Sequence, residues 1–216
     1  MPAPVFLKAP RLVNLYKKIA NMHVATVDDG PTPAWEGNPD APLMVIGSSH
    51  PEKNCLERSY MLRELEKLKI TKSKVYITSA IKRPLLKKTG NVWVIDSRGA
   101  TANEIDIFRP FLLDEIEIVN PVAVICLGGN PAKVLFGDMS FSVMKERGQV
   151  LSAPGVSASV FVTVSPSYVL RTGGSNGFAS RLFQSDLRLA HEEASPPPCS
   201  WCGTVHDGGP ENCSTV

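Results

Sequence analysis

The sequence contains no apolar run as long as the roughly 18–20 residues that a membrane-spanning helix requires. Its first residues lack a basic segment followed by a long apolar stretch, so we expect no secretory signal. An excess of one charge is also lacking: the net charge of +2, with 20% charged residues, does not by itself indicate a nucleic-acid binder. The 216 residues, 43% of them hydrophobic, are enough for one sizeable core and predict one domain with a short appendage.

Cysteine is scarce in the body of the chain, where Cys55 and Cys126 occur, and we expect both to be buried, unreactive thiols. The other three, Cys199, Cys202 and Cys213, are clustered in the tail. Without a secretory signal we expect a reducing compartment, where clustered cysteines are more often metal ligands than disulfide partners.

The tail holds three thiols and one imidazole, the ligand set of a closed tetrahedral zinc site: Cys199, Cys202, His206 and Cys213. We predict a structural zinc, without which so short a segment cannot fold. The spacing is similar to that of retroviral-type zinc knuckles, which bind single strands partly by stacking bases on aromatic residues such as Trp201. The alternative is a tail without metal whose cysteines are redox-labile. Because SPPP at 195–198 ends the last predicted helix, we divide the chain into a domain over 1–194 and a linker with this tail over 195–216.

Short apolar runs alternate along the chain with segments of helical periodicity. Strands are predicted over 43–47, 75–80, 122–128 and 160–165, and helices over 11–22, 55–69, 103–119, 130–136 and 176–192. We place Pro110 near the first turn of its helix. Strands that are apolar throughout predict an α/β fold, a three-layer α/β/α sandwich with a central parallel four-stranded sheet. Ligands of such sheets bind at the loops leaving the carboxyl ends of the strands, which begin here at Gly47, Ile81, Gly128 and Ser165.

Several short motifs occur in the order seen in a known family. They are EGNPDA at 36–41, VYIT at 75–78 with Lys82 and Arg83-Pro84 after it, RPFL at 109–112, VICLG at 124–128, Arg147-Gly148, Pro166-Ser167, Leu170-Arg171 and Asp186-Leu187. Each motif is weak alone. The ordered set over residues 36–190 resembles the iron–sulfur (family 4) type of the uracil-DNA glycosylase superfamily, and it implies a DNA partner and a pocket for an extruded base.

The iron–sulfur cluster of that family is held by four cysteines, two near the N-terminus and two flanking the central helix, and it needs thiolate ligands. Here no cysteine precedes Cys55, none lies between Lys82 and Arg83, and Phe108 stands at the other flanking position. We therefore predict that the protein has no iron–sulfur cluster.

The resemblance also locates the catalytic loops, whose residues are altered. Ser165 stands where the family aims a histidine at the base carbonyl, Ser48 stands where an acid or amide places water, and Ser79 replaces the uracil-reading asparagine. The catalytic candidates are Ser48, which would hold water, His50, which would take the electrophilic or acid role, and Ser165. The base-pocket candidates are Gly47, Ser49 and Ser79. The alternative for Ser48 and Ser165 is simple filling of a turn, and for His50 it is an exposed loop position.

Basic residues after the second strand, together with the resemblance, predict phosphate contacts by Lys82, Arg83, Lys87 and Lys88. The alternative is an ordinary solvated loop. The resemblance implies that the loop at 165–171 enters the minor groove of DNA, with Ser167 and Arg171 as contacts. Tyr168, Val169 or Leu170 is a candidate for the apolar wedge that holds the gap left by a flipped base, although Leu170 can instead pack inward.

The leading hypothesis is a DNA glycosylase-like protein that binds double- or single-stranded DNA and a flipped, modified or damaged base, and hydrolyses the N-glycosidic bond without a metal. A second is a catalytically inactive DNA-binding or partner-recruiting module of the same fold. A third is an enzyme that processes nucleotides or modified bases. We expect no membrane partner and a cytoplasmic location, associated with the nucleoid in a bacterium or phage.

Overall fold

The computed structural model describes residues 8–22, 35–49, 55–82, 86–89, 92–95 and 99–195, with only the backbone for Ser49, 86–88 and 92–95. Within these residues the helices are α1 (Lys8–Ala20), α2 (Leu56–Lys67), α3 (Ala102–Val119), α4 (Gly129–Phe136), α5 (Val143–Glu146), α6 (Pro166–Arg171) and α7 (Phe178–Ala194), with a 3-10 turn at Gly174–Asn176. The strands are β1 (Glu36–Gly37), β2 (Leu43–Ser49), β3 (Val75–Ile81), β4 (Leu86–Thr89), β5 (Val92–Ile95), β6 (Ala123–Leu127) and β7 (Ser159–Thr163). None of these helices is both long and apolar enough to cross a bilayer.

The central sheet has the strand order β1-β3-β2-β6-β7, and its last four strands run parallel. This confirms the predicted parallel four-stranded sheet. Strand β1 adds a short antiparallel pairing to the outer edge of β3, and Leu151 makes an isolated antiparallel bridge to Val160 of β7. Gly37 of β1 has φ +90°, and a Cβ there would lie 2.0 Å from the Val75 carbonyl oxygen, so a larger residue cannot make this approach.

Side chains of the parallel strands alternate between two apolar clusters, one on each face of the sheet. Met44 and Ile46 of β2 belong to the cluster formed with α1, α3 and α4. Leu43 and Val45 of the same strand belong to the cluster formed with α2, α6 and α7. Because helices cover both faces, the strands are apolar throughout rather than alternately polar. The predicted three-layer α/β/α sandwich is confirmed.

Pro110 lies further inside helix α3 than predicted, because the helix begins at Ala102. Thr101 and Glu104 form a capping box, in which the Glu104 N–H donates to Thr101 Oγ1 at 3.3 Å and the Thr101 N–H donates to Glu104 Oε2 at 2.8 Å. This cap fixes the first helical residue at Ala102 and leaves Pro110 inside the helix, about two turns further on. The prediction of a first-turn proline was therefore wrong.

The segment between β3 and α3, predicted only as polar and basic, contains regular structure. Strands β4 and β5 pair with each other as a separate antiparallel two-stranded sheet, with Leu86 opposite Ile95.

Two of the ordered motifs meet in space. The Arg147 guanidinium donates from Nε to Asp186 Oδ2 at 2.9 Å and from Nη2 to Asp186 Oδ1 at 2.7 Å. Asp186 lies on α7 and is 1% exposed. This bidentate ion pair ties the segment before β7 to the last helix.

Candidate active site

The carboxyl ends of β2, β3, β6 and β7 lie along one edge of the sheet, as parallel pairing requires. Gly47 on β2 is opposite Ser79 on β3, so two of the predicted pocket residues are neighbours. Ser79 is 4% exposed. The backbone of Ser49, the third predicted pocket residue, is opposite Ile81.

Ser48, at the end of β2, is bonded to a residue that the sequence analysis missed. The Asn130 side chain donates from Nδ2 to Ser48 Oγ at 2.9 Å, and its Oδ1 accepts from the Ala100 N–H at 3.1 Å. Asn130 stands in the first turn of α4, directly after the Gly128-Gly129 pair. Asn130, like Ser48, is a polar residue just after the carboxyl end of a predicted strand. The reasoning that selected Ser48 could therefore have selected Asn130 from the sequence.

The loop after β6 packs tightly against the loop after β7. The Gly128 N–H donates to the Thr163 carbonyl at 2.8 Å, and Gly128 has φ +102°. A Cβ at this position would lie 2.9 Å from the Ser165 Cβ. Glycine is therefore required both by the backbone conformation and by the close approach to Ser165.

Ser165 caps helix α6. Its Oγ accepts the Tyr168 N–H at 3.1 Å, and Pro166 follows as the first helical residue. One lone pair of the hydroxyl is thus committed to the helix, which limits what the group can offer to a bound base.

Ser167 is bonded to a neighbouring helix. Its hydroxyl donates to Glu57 Oε1 of α2 at 3.2 Å, and both residues are partly buried. The bond joins the start of α6 to the start of α2, so the elements that follow β2 and β7 are in contact on this side of the sheet.

The three candidates for a wedge differ in exposure. Tyr168 is 41% exposed, whereas Val169 is fully buried and Leu170 packs against the apolar cluster below α6. Arg171, in the last turn of α6, is exposed. Of these side chains, Tyr168 and Arg171 are the ones that a partner can reach.

Lys82 lies inside the protein and not on a surface that DNA can reach. Its side chain is 0% exposed, and its ammonium forms an ion pair with Glu115 of α3 and donates to Thr78 Oγ1 at 2.8 Å. The hydroxyls of Tyr16 and Tyr76 donate to Glu115 Oε1 at 2.6 and 2.7 Å. Because a buried, paired ammonium does not reach a phosphate, the predicted role of Lys82 is corrected from DNA contact to core residue.

Burial governs the titration of this polar cluster. Desolvation lowers the pKa of the Lys82 ammonium, and the Glu115 carboxylate opposes that shift. Desolvation and the Glu115 charge together raise the pKa of the Tyr16 and Tyr76 hydroxyls above their ordinary value. Both tyrosines therefore stay protonated at neutral pH and remain donors to the carboxylate.

Several predicted site residues lie outside the described part of the chain, namely His50, Arg83, Cys199, Cys202, His206 and Cys213. Lys87 and Lys88 stand on β4, where only the backbone is described. Their roles stay predictions. Among the described residues, no group of three or more histidine, cysteine, aspartate and glutamate side chains is arranged to hold a metal ion.

The absence of an iron–sulfur cluster stays a prediction. Phe108, at a position that the resemblance assigns to a cluster cysteine, is fully buried in an apolar cluster, and its ring cannot ligate iron. Cys126 is buried in β6, as predicted, and desolvation raises the pKa of its thiol. Cys55 is only partly buried, and its sulfur caps α2 by accepting the Arg58 N–H at 3.4 Å.

Residues 34–187 match the family model of the Uracil DNA glycosylase superfamily. The matched range contains the four parallel strands and the loops that carry Ser48, Asn130 and Ser165. Proteins of this superfamily act on DNA and are typified by DNA glycosylases, which are hydrolases of DNA repair. The match covers most of the sequence and agrees with the observed sandwich, and the chain therefore belongs to the uracil DNA glycosylase superfamily.

Proposed function

We propose that the protein binds DNA at the carboxyl edge of its sheet, receives an extruded base there and hydrolyses the N-glycosidic bond of that base. One observation carries the proposal: three loops converge, since Asn130 joins the β6 loop to Ser48 and Gly128 packs against Ser165 of the β7 loop. A base must leave the duplex before an enzyme of this kind can act on it, and converging loops at a sheet edge are suited to receive it. The closer resemblance to the iron–sulfur type stays a prediction.

Helix α6 is the element best placed to touch DNA. Tyr168 is 41% exposed and Arg171 is exposed one turn later. An exposed aromatic side chain can hold the gap left by a flipped base, and an arginine can neutralise a phosphate. We therefore assign the wedge to Tyr168 and a phosphate contact to Arg171.

In the proposed reaction the bond between the sugar C1′ and the base nitrogen breaks, and its electron pair stays on the base. Water adds to the oxocarbenium-like C1′ and releases a proton, and the base takes up a proton as it leaves. We assign to Ser48 a hydrogen bond to the base or to the attacking water, and to His50, two residues further on, stabilisation of the charge that develops on the leaving base.

A second candidate is a module that binds DNA without cleaving it. Ser165 favours this alternative, because its hydroxyl carries no charge and is already engaged as the cap of α6. Loss of one preorganised donor to a developing charge lowers a catalytic rate by roughly 100- to 1,000-fold.

The two candidates are separated by incubating the full chain with duplexes that carry uracil, hydroxymethyluracil or hypoxanthine and measuring abasic sites. We expect abasic sites for at least one base, with the activity lost in Ser48→Ala and in His50→Ala. Ser185→Ala, at an exposed position of α7, is the matched control and should keep full activity. Salt-sensitive binding without abasic sites would support the non-cleaving module, and the absence of binding would contradict both.

We further propose that the tail holds one structural zinc through Cys199, Cys202, His206 and Cys213. The support is the chemistry of this set, three thiols and an imidazole within a short segment that contains a Cys-X-X-Cys pair. Trp201, inside that pair, would then offer a stacking surface to a single strand.

A further inference from the structure

The Asn130 side chain links two parts of the candidate site. It donates from Nδ2 to Ser48 Oγ at 2.9 Å, and its Oδ1 accepts from the Ala100 N–H at 3.1 Å. Ser48 is the last residue but one of β2, Asn130 lies in the first turn of α4, and Ala100 precedes α3 and is 4% exposed. One amide therefore ties together three segments that meet at the carboxyl edge of the sheet.

The contact with Ala100 fixes the orientation of this amide. A backbone N–H can only donate, so the atom that faces it is the amide oxygen. The NH2 group then faces Ser48, and Ser48 Oγ is the acceptor of that bond. A serine hydroxyl has a single proton, and since that proton is not directed at Asn130, it is available in another direction.

We propose that Asn130 is a positioning residue that makes the Ser48 hydroxyl a hydrogen-bond donor to an acceptor atom of the extruded base. The inference rests on the proposed function, since it names what Ser48 does to a base in that site. A base with a carbonyl oxygen at this point is bound in preference to one with an amino group there, because an amino group can only donate.

Asn130→Asp separates this role from a purely structural one. The aspartate keeps the volume of the side chain and an oxygen for the Ala100 N–H. At neutral pH, however, it accepts a hydrogen bond from Ser48 instead of donating one, so the hydroxyl proton turns away from the base. Acidification towards the aspartate's ordinary midpoint, about pH 4, restores a protonated group that can donate.

Two measurements are made on wild type, Asn130→Asp, Ser48→Ala and the double variant. One is the single-turnover cleavage of a duplex with one uracil, and the other is the affinity for the same duplex with non-cleavable 2′-fluoro-deoxyuridine. At about pH 7.5 we expect Asn130→Asp to lower the cleavage rate about 10- to 100-fold, as a misplaced group does. The ratio to wild type should rise as the pH falls towards about 5, where about a tenth of the aspartate is protonated.

The ratio to wild type cancels other titrations. The charged or titratable groups nearest in sequence to the three linked residues are Asp96, Arg98, Glu104, Lys133 and His50. In the Ser48→Ala background, where we expect cleavage to be lost, Asn130→Asp should change the affinity less than about twofold, since its effect passes through Ser48.

The inference is overturned if Asn130→Asp behaves as wild type at every pH, or if its full effect persists when Ser48 is alanine. If the wild-type protein binds the duplexes but does not cleave the uracil duplex, the proposed hydrolysis is refuted. The role of Asn130 is then tested by the affinity measurement alone. In that measurement, a loss of affinity in Asn130→Asp that requires Ser48 supports the inference, and an unchanged affinity overturns it. A wild type that binds neither duplex refutes both.

Discussion

Replacing Lys82 by methionine is expected to lower the free energy of unfolding by about 3–4 kcal/mol at neutral pH. The change keeps the length of the side chain but leaves the Glu115 carboxylate, which is 0% exposed, without its cation. Loss of one partner from a buried ion pair costs about 3–5 kcal/mol. The upper limit is the cost of protonating a carboxyl group at pH 7, about 1.4 kcal/mol for each pH unit above an ordinary glutamate midpoint of about 4.3, or about 3.7 kcal/mol. A protonated Glu115 keeps partners, because Tyr16 and Tyr76 still donate to its Oε1.

Because the cost of protonating the carboxyl group rises with pH, the expected loss in the free energy of unfolding depends on pH. In the variant the carboxyl group takes up a proton on folding, whereas in the unfolded chain it does not, so the loss grows as the pH rises and shrinks to about 1 kcal/mol at pH 5. For a protein of this size, a loss of 3–4 kcal/mol lowers Tm by about 6–16 °C. Thermal and urea unfolding at pH 5 and pH 7 measure both the size and the slope.

Arg11→Met is the matched control, because Arg11 pairs with Glu117 at 3.5 Å while both side chains are exposed, at 47% and 78%. A surface pair of this kind contributes at most about 1 kcal/mol. The double variant Lys82→Met with Glu115→Gln removes both charges and should regain most of the lost stability. Equal losses in Lys82→Met and Arg11→Met, or a loss of the same size at pH 5 and pH 7, would mean that the uncompensated carboxylate is not the cause.

Gly128→Ala should destabilise the protein by about 1–3 kcal/mol, because φ is +102° there and the new Cβ would meet the Ser165 Cβ at 2.9 Å. Thermal unfolding checks this against Gly129→Ala, where the added Cβ meets nothing within 4 Å, and equal Tm values would contradict it. Arg171→Ala should weaken duplex binding regardless of sequence and reduce the salt slope of log K by about 1, whereas Arg188→Ala, exposed on α7, should not. Cys202→Ser should release zinc from the purified protein, and a wild type that contains no zinc and whose tail cysteines alkylate freely would disprove the zinc site.

The parallel sheet was predictable because burial on both faces leaves a readable pattern. The runs LMVIG at 43–47 and VAVICLG at 122–128 are apolar at every side-chain position, and both proved to be central strands. Strand β1 leaves no such pattern, because its two residues pair through the backbone alone. The start of α3 was predicted to within one residue, and the error concerned Pro110 alone, which lies inside the helix that the Thr101–Glu104 cap begins.

The site was predictable in its position and less so in its members. The loops that leave parallel strands meet at one edge, and Gly47, Ser48 and Ser79 lie at that edge as predicted, while their roles stay predictions. The burial of Lys82 was not predictable, because the sequence around it does not show that the Glu115 carboxylate lies beside it in the fold. A lysine in a basic segment has the same pattern whether it faces solvent or a buried acid.

The short backbone pairings at the two edges of the central sheet affect whether copies of this protein can associate through their strands. An open margin would offer unpaired amides to any other extended chain and so invite aggregation. At one margin, strand β1 pairs with the backbone of Tyr76 and Ile77 on β3. At the other margin, Leu151 and Val160 exchange two backbone hydrogen bonds, at 2.8 and 3.0 Å. At these positions the margins offer no unpaired backbone groups, and addition of a strand from another molecule is disfavoured there.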